Sequence, residues 1–156
     1  MRNNIGQSLI EALIALSAAV AVISAISIAV IVSLNNVDFS KNQNLAAQYA
    51  QQGMEILNQQ STSDWPLFSS YAGTYCLPQG VTIPQDAGTG CNRANINNFF
   101  VRQLTISQGS ANCSGAAQVN VSVSWGDGKC TSVLNPFCHN VTLNSCLANI
   151  DAKQAP

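Results

Sequence analysis

The chain has 156 residues, of which 47% are hydrophobic and only 8% are charged, and this composition excludes a disordered protein, which needs high charge and little apolar surface. A net charge of −1 provides no field that would attract nucleic acid or acidic lipid. The length suits one compact domain with an appendage rather than two full domains.

The first predicted element is a long apolar helix. The stretch from Leu9 to Leu34 contains one ionisable residue, Glu11, and neither Gly nor Pro. As a helix it would be about 39 Å long, enough to cross a hydrocarbon core of about 30 Å. Arg2 on the short preceding flank favours a cytoplasmic N-terminus, so we expect the rest of the chain to be exported.

A cleaved secretory signal peptide is the competing interpretation of this N-terminus. The apolar run is longer than the roughly 7–15 residues of such a segment, and no small-x-small cleavage site closes it. The chain also runs on to Gln60 without a proline, and an acidic residue near the start is unexpected in a signal peptide. A membrane anchor that stays attached explains the segment better.

Residues 35–64 are predicted to continue the helix in amphipathic form. Its apolar stripe at helical spacing consists of Leu45, Tyr49 and Ile56, with Ala46, Ala50 and Leu57 beside it. Gly53 lies in this stripe at a cost of about 1 kcal/mol relative to Ala, which indicates the close approach of another backbone. We expect the helix to end between Ser61 and Pro66, where Ser, Thr and Asp precede a proline.

The remaining residues, 65–156, are predicted to form a head with a small antiparallel sheet. Prolines and glycines interrupt residues 66–98 repeatedly, which is typical of a long loop. Three strands are then expected, with Phe100, Arg102, Leu104 and Ile106 on one face of the first, Val119, Val121, Val123 and Trp125 on one face of the second, and Val141 and Leu143 in a shorter third. The economical topology is a meander covered by the stripe of the helix, which is an α+β fold.

All six cysteines lie in the head, and their even number in a polar, loop-rich region indicates disulfides formed in an oxidising compartment. A zinc site would need paired C-x₂₋₄-C ligands, whereas the closest two cysteines have seven residues between them. Six cysteines allow many pairings, and positions in the predicted meander favour Cys76–Cys91, Cys113–Cys146 and Cys130–Cys138.

Glu11 is the residue of the apolar span that requires explanation. A carboxylate inside such a span costs about 2.5–3.5 kcal/mol, and charges within membranes generally have a partner. No other ionisable residue lies in the span, so the partner must come from another chain or from a newly made terminus. The alternative is that the segment is a simple signal anchor, in which the Glu11 side chain extends to the polar surface of the membrane.

Residues 6–16 read GQSLIEALIAL, in which a glutamate follows a glycine by five positions and opens a long apolar helix. This arrangement resembles the cleavage and methylation motif of type IV prepilins and type II secretion pseudopilins. In that family a prepilin peptidase cuts after the glycine on the cytoplasmic side and methylates the new amine. The resemblance implies that residues 1–6 are a leader, that cleavage separates Gly6 from Gln7, and that Gln7 becomes the N-methylated terminus.

The same resemblance implies a type IV pilin fold, in which residues 7–34 form the transmembrane and filament-core helix. Cleavage would place an amine at Gln7 on the same helix face as Glu11. In a filament the Glu11 carboxylate of one subunit would neutralise the Gln7 amine of its neighbour, a pairing that sets register. The implied partners are other pilin subunits, the prepilin peptidase and, before assembly, the inner membrane.

Two features differ from most major pilins, namely Gln7 in place of Phe or Met and the absence of a proline within the span. The segment LAAQYAQQGMEI at residues 45–56, followed by Ser63-Asp64-Trp65, is similar to minor pilins grouped with pilus modification proteins. The close resemblance covers about the first 65 residues, and the head shares only the plan of a helix followed by a sheet.

Other polar residues of the head support no further site. His139, the only histidine, lies in no catalytic pattern, and Asp127 between two glycines indicates a turn without the ligands of a calcium loop. We expect no metal, no cofactor and no enzymatic activity. The scattered cations Arg93, Arg102, Lys129 and Lys153 predict no binding of nucleic acid.

The sequence thus predicts a structural subunit, a minor pilin or pseudopilin, anchored once in the inner membrane with its head exported and then built into a cell-surface filament. A second hypothesis is a membrane-anchored extracellular binding module that does not polymerise. A secreted enzyme with an uncleaved anchor is a third, for which the chain offers no nucleophile and base.

Overall fold

A computed structural model describes residues 5–88, 91, 94–131 and 136–149 of the chain, with side chains from Leu9 onward. Within these residues the elements in chain order are α1 (Ile5–Ser63), α2 (Trp65–Ser70), β1 (Gly73–Cys76), β2 (Gln85–Asp86), β3 (Val101–Gln108), β4 (Ala117–Trp125) and β5 (His139–Leu147). The chain divides into two compact units, residues 1–41 and residues 42–156. The predicted α+β fold, a long N-terminal apolar helix with a disulfide-linked antiparallel sheet, is confirmed.

The first unit contains the apolar part of α1. None of its residues from Leu9 to Asp38 is buried, and fifteen large aliphatic side chains between Leu9 and Val37 are 51–65% exposed. The helix is long and apolar enough to cross a membrane once. The hydroxyls of Ser17, Ser24 and Ser27 donate to carbonyls three or four residues earlier in the same helix, as polar groups must in apolar surroundings.

The second unit begins within α1 and continues through the sheet. As predicted, α1 ends where the polar residues precede a proline, at Ser63. Asp64 then caps α2, because its Oδ1 accepts a hydrogen bond from the backbone N–H of Leu67 at 3.0 Å. Pro66 lies in the first turn of α2, where its missing N–H costs no hydrogen bond.

The described strands form one antiparallel sheet in the order β2-β1-β3-β4-β5. The predicted meander of three strands is therefore confirmed as β3-β4-β5, with Leu104 opposite Val121 and Val121 opposite Leu143. The prediction that residues 66–98 are only a loop is wrong, since they contain α2, β1 and β2. These elements are too short to show a hydrophobic period.

The third strand of the meander is also longer than predicted, because β5 has nine residues, as many as β4. Polar residues on its inner face interrupt the alternation of apolar and polar residues by which a strand is predicted from sequence. Ser145 pairs with Val119 and His139 pairs with Trp125 on that face, so polar residues interrupt the aliphatic series that ends in the buried Leu147. By contrast, the alternate residues Ala117 to Trp125 of β4 are all buried, as its pattern predicts.

The core lies between the sheet and the part of α1 from residue 42 to residue 63. The helix buries Ala46, Ala50, Gly53 and Leu57, whereas the predicted stripe of Leu45, Tyr49 and Ile56 is only half-buried. The stripe was therefore assigned one residue away from the true core. Small residues at the contact let the helix backbone lie close to the sheet, and the larger neighbours cover its margins.

Candidate functional site

The predicted processing motif lies at the start of α1. Gly6 and Gln7 have helical backbone, and the side chain of Gln7, like residues 1–4 of the predicted leader, lies outside what the structure describes. Glu11 lies between one and two turns after Ile5, and its side chain is exposed among aliphatic neighbours. The nearest described cation along the helix is Lys41, about 45 Å away along its axis.

Glu11 shares its helix face with a series of small residues. At 100° per residue, the alanines on this face lie within about 40° of the direction of Glu11. They are Ala15, Ala18, Ala25 and Ala29. Val22 also lies on this face, about 20° from the direction of Glu11, and the opposite face carries Leu13, Leu16 and Val20. In apolar surroundings, a face of small residues permits two helix backbones to approach closely.

A buried arginine joins the head together. Arg102 of β3 is 1% exposed and donates through all three guanidinium nitrogens. Its Nε donates to the Leu77 carbonyl at 2.9 Å, its Nη1 to the Tyr49 carbonyl at 3.0 Å and to Gln52 Oε1 at 3.1 Å, and its Nη2 to the Pro78 carbonyl at 3.3 Å. One side chain therefore ties β3 to α1 and to the segment after β1.

The surroundings of Arg102 determine its charge. Burial lowers the pKa of its guanidinium from 12.5 to about 10, so it remains a cation at neutral pH. A planar group with five N–H donors suits this site, because its acceptors are carbonyl and amide oxygens in several directions. Among the cations weighed from the sequence, Arg102 is thus an internal support and not a surface charge, whereas Lys129 is exposed.

Gly53 makes the position of Arg102 possible. A Cβ at residue 53 would lie 3.0 Å from Arg102 Cδ and 3.1 Å from Val121 Cγ1. The prediction of a close approach at this glycine is correct, but the approaching atoms belong to two side chains and not to another backbone. Each distance is shorter than carbon atoms normally adopt in packed interiors.

Two of the disulfides join a loop to a strand, and the third lies within the β4–β5 connection. The pairs are Cys76–Cys91, Cys113–Cys146 and Cys130–Cys138, which are the pairs that the loop positions favoured, and no cysteine is free. Cys113–Cys146 fastens the β3–β4 connection to β5, which lies at one edge of the described sheet. Disulfides of this kind are typical of a head on the extracytoplasmic side of a membrane.

A polar corner at the end of β4 and the start of β5 brings together two residues that sequence reasoning had treated separately. His139 Nε2 lies 3.1 Å from Asp127 Oδ2, and the His139 ring lies against Trp125 with centroids 5.4 Å apart. The backbone N–H of Lys129 donates to Asp127 Oδ1 at 2.8 Å. This bond, with a smaller contribution from His139, holds the pKa of the Asp127 carboxyl below its ordinary value.

This corner also contains the Cys130–Cys138 disulfide. Donor atoms of Asp127, Cys130, Cys138 and His139 all lie within 4.8 Å of one another. The loop closes because Gly126 has no side chain, since a Cβ there would lie 2.1 Å from the Pro136 carbonyl oxygen. A sequence signal existed in the adjacent Cys138 and His139, but only the fold shows that Asp127 faces them.

Two predicted cations, Arg93 and Lys153, lie outside the described residues.

Comparison of the chain with protein-family models, with curated proteins and with solved structures gave no match. What the chain does must therefore be argued from its own residues.

Proposed function

We propose that this chain is a structural subunit of a type IV pilin-like filament, a minor pilin or pseudopilin, which assembles through α1 after removal of residues 1–6. The observation that carries the proposal is an apolar helix surface that is exposed from Leu9 to Asp38 and holds one carboxylate, Glu11. A surface of this kind is stable only in lipid or against copies of itself.

The position of Glu11 supports assembly over simple anchoring. An anchor gains nothing from a carboxylate near the start of its apolar span, where burial in lipid still has a cost, although a smaller one than the roughly 2.5–3.5 kcal/mol at the centre of a span. A filament can use it, because cleavage after Gly6 creates a cationic amine at Gln7, one helical turn before Glu11. In each monomer two costly groups then share a face, and pairing across subunits satisfies both.

The small residues on the face of Glu11 support the same function. Ala15, Ala18, Ala25 and Ala29 would let a neighbouring helix come close enough for its amine to reach the carboxylate. The apolar helix surface must be covered both before and after assembly. In lipid the helix is held by its aliphatic surface, and in the filament core the same surface packs against other helices while the ion pair sets the register.

Processing is the first test. We expect co-expression with a prepilin peptidase to yield a mature chain that begins at Gln7 and carries one methyl group on its amine, measured by intact-mass and peptide mass spectrometry. Gly6→Val should abolish cleavage, because it replaces the glycine after which the peptidase cuts in the prepilins that this motif resembles. A wild-type chain that keeps residues 1–6 beside an active peptidase would instead favour the anchored binding module.

Assembly is the second test. Glu11→Gln should leave the amount of membrane-bound subunit unchanged and reduce the fraction recovered in sheared filaments at least tenfold. Glu55→Gln is the matched control, since Glu55 is an exposed carboxylate further along the same helix and outside the apolar segment. Equal incorporation of Glu11→Gln and wild type would refute the role of this carboxylate.

A further inference from the structure

The polar corner formed by Asp127, Cys130, Cys138 and His139 has the composition of a metal site. It offers two sulfurs, one imidazole and one carboxylate, and zinc accepts each of these ligand types. The seven residues between Cys130 and Cys138 exceed the C-x₂₋₄-C spacing of common structural zinc sites, and here the fold and not the spacing brings the donors together. The side chains of His139 and Asp127 are 23% and 25% exposed, but the Nε2 atom of His139 is itself covered, so the imidazole must turn for an ion from solvent to reach that nitrogen.

Two of the distances between donors are close to those around a tetrahedral zinc ion. With zinc–sulfur bonds of about 2.3 Å and zinc–oxygen and zinc–nitrogen bonds of about 2.0–2.2 Å, sulfur and oxygen ligands lie about 3.5 Å apart and nitrogen and oxygen ligands about 3.4 Å apart. Cys130 Sγ lies 3.7 Å from Asp127 Oδ1, and His139 Nε2 lies 3.1 Å from Asp127 Oδ2. One oxygen of the carboxylate therefore lies near a sulfur and the other near the imidazole. The two sulfurs, which are bonded to each other in the disulfide, must move to about 3.8 Å apart after reduction to bind the same ion.

The backbone around Cys130 is arranged to stabilise negative charge on its sulfur. The N–H groups of Asp127 and Cys138 both point at Cys130 Sγ, each at 3.4 Å. Such donors contribute little to a neutral disulfide and much more to a thiolate. In addition, the N–H of Lys129 fixes the orientation of the Asp127 carboxylate, the kind of outer-shell contact that supports metal ligands.

We propose that this corner is a redox-dependent zinc site, in which reduction of the Cys130–Cys138 disulfide creates a Cys₂-His-Asp set that binds one Zn²⁺. A dithiol reductant supplies two electrons and two protons to the disulfide and is itself oxidised to a disulfide. Zinc then takes both sulfurs as thiolates, and the two thiol protons pass to water. In the reverse step a small-molecule disulfide accepts two electrons from the two thiolates and two protons from water and is reduced to thiols, while the Cys130–Cys138 bond forms again and the ion is released.

The exposure of the two cysteines determines which sulfur of the disulfide a reductant attacks first. Cys138 is exposed and Cys130 is half-buried, so an incoming thiolate reaches the Cys138 sulfur first. The mixed disulfide then forms at Cys138, and Cys130 leaves as the thiolate that the two backbone N–H groups stabilise. This corner should consequently be reduced without disturbance of the strands that flank it.

The test uses the full chain in detergent micelles, reduced anaerobically with a dithiol, freed of it by gel filtration and titrated with Zn²⁺ or Co²⁺. We expect one ion per chain, with the visible absorption bands and the thiolate charge-transfer band of tetrahedral Co²⁺. Alkylation followed by peptide mass spectrometry should show that the metal protects Cys130 and Cys138, while the other cysteines, wherever reduced, react. The oxidised chain should bind no ion stoichiometrically.

Variants of His139 and Asp127 that keep the disulfide and the fold test the contributions of these two proposed ligands. His139→Phe retains a ring against Trp125, and Asp127→Asn retains the oxygen that accepts from Lys129, so each should fold and bind Co²⁺ at least tenfold more weakly. Asp86→Asn is the matched control, because Asp86 Oδ1 also accepts a backbone N–H two residues on, from Gly88 at 3.0 Å.

Several outcomes would overturn the proposal. They are the absence of stoichiometric binding by the reduced chain, protection of cysteines other than Cys130 and Cys138, unchanged affinity in both His139→Phe and Asp127→Asn, and a disulfide that is reduced only when circular dichroism shows the head unfolded. Equal binding by the oxidised chain would show a site that does not depend on redox state, which also contradicts the inference.

Discussion

Replacement of Gly53 by alanine tests how closely α1 packs on the sheet. Alanine is the better helix former by about 1 kcal/mol, so an open position would gain stability from the change. At residue 53 the new methyl group would lie 3.0 Å from Arg102 Cδ and 3.1 Å from Val121 Cγ1. Neither neighbour moves easily, because four hydrogen bonds hold Arg102 and the central strand β4 holds Val121.

The expected change in the free energy of unfolding is the difference between the gain in helix propensity and the cost of overpacking. Both contacts require the neighbours to move by a few tenths of an ångström, and overpacking of a well-filled core costs about 1–3 kcal/mol. Subtraction of the gain in helix propensity leaves a loss of about 1 kcal/mol in the free energy of unfolding. Arg102→Ala removes the closer neighbour, and in that background Gly53→Ala should become neutral or stabilising.

Urea unfolding of the full chain in a mild detergent, followed by the fluorescence of the buried Trp125, measures this loss. Asn44→Ala is the control, since residue 44 is exposed on the same helix and should gain about 0.5 kcal/mol from propensity alone. A Gly53→Ala variant as stable as the Asn44→Ala control would refute the close packing described for this helix.

Three further predictions concern the head and the helix. Arg102→Met should lower the free energy of unfolding by about 2–4 kcal/mol in the same assay, because it leaves the Leu77 carbonyl without its donor and removes one of the two donors to the Pro78 carbonyl. Arg102→Lys should lose about half as much. Joint replacement of Cys113 and Cys146 by serine should cost about 2–4 kcal/mol and increase amide exchange in β5, measured by mass spectrometry. Ala18→Leu should reduce incorporation into filaments without loss of membrane-bound subunit, whereas Val20→Leu, on the opposite face, should assemble normally.

Hydrophobic pattern and covalent chemistry were the parts of this fold that the sequence could reveal. The uninterrupted run from Leu9 to Leu34 predicts an apolar helix because no folded core is that uniformly apolar, and the valines of β4 alternate without exception. The disulfide pairs followed from loop positions in the meander. Each of these signals depends on neighbours in the chain or on a regular period.

The features that sequence reasoning missed depend on contacts between distant residues. Arg102 was placed on the correct face of its strand, yet nothing nearby in sequence shows that carbonyls from residues 49, 77 and 78 surround it. Asp127 and His139 likewise meet only because the loop between β4 and β5 folds back at Gly126. The true core stripe of α1 was hidden because alanine and glycine carry too little hydrophobic weight to mark a buried face.

Arg102 and Glu11 are two charged residues whose partners come from different places. We therefore expect loss of Arg102 to affect stability and loss of Glu11 to affect assembly. Arg102 receives its acceptors from its own head, so its loss should change unfolding and leave the properties of the apolar helix unchanged. Glu11 has no cation within about 45 Å along the described part of its helix, so its loss should leave unfolding of the head unchanged and act only where subunits meet. A Glu11→Gln variant that weakened the head as much as Arg102→Met would show that the carboxylate serves the monomer, and the proposed intersubunit pair would then have no basis.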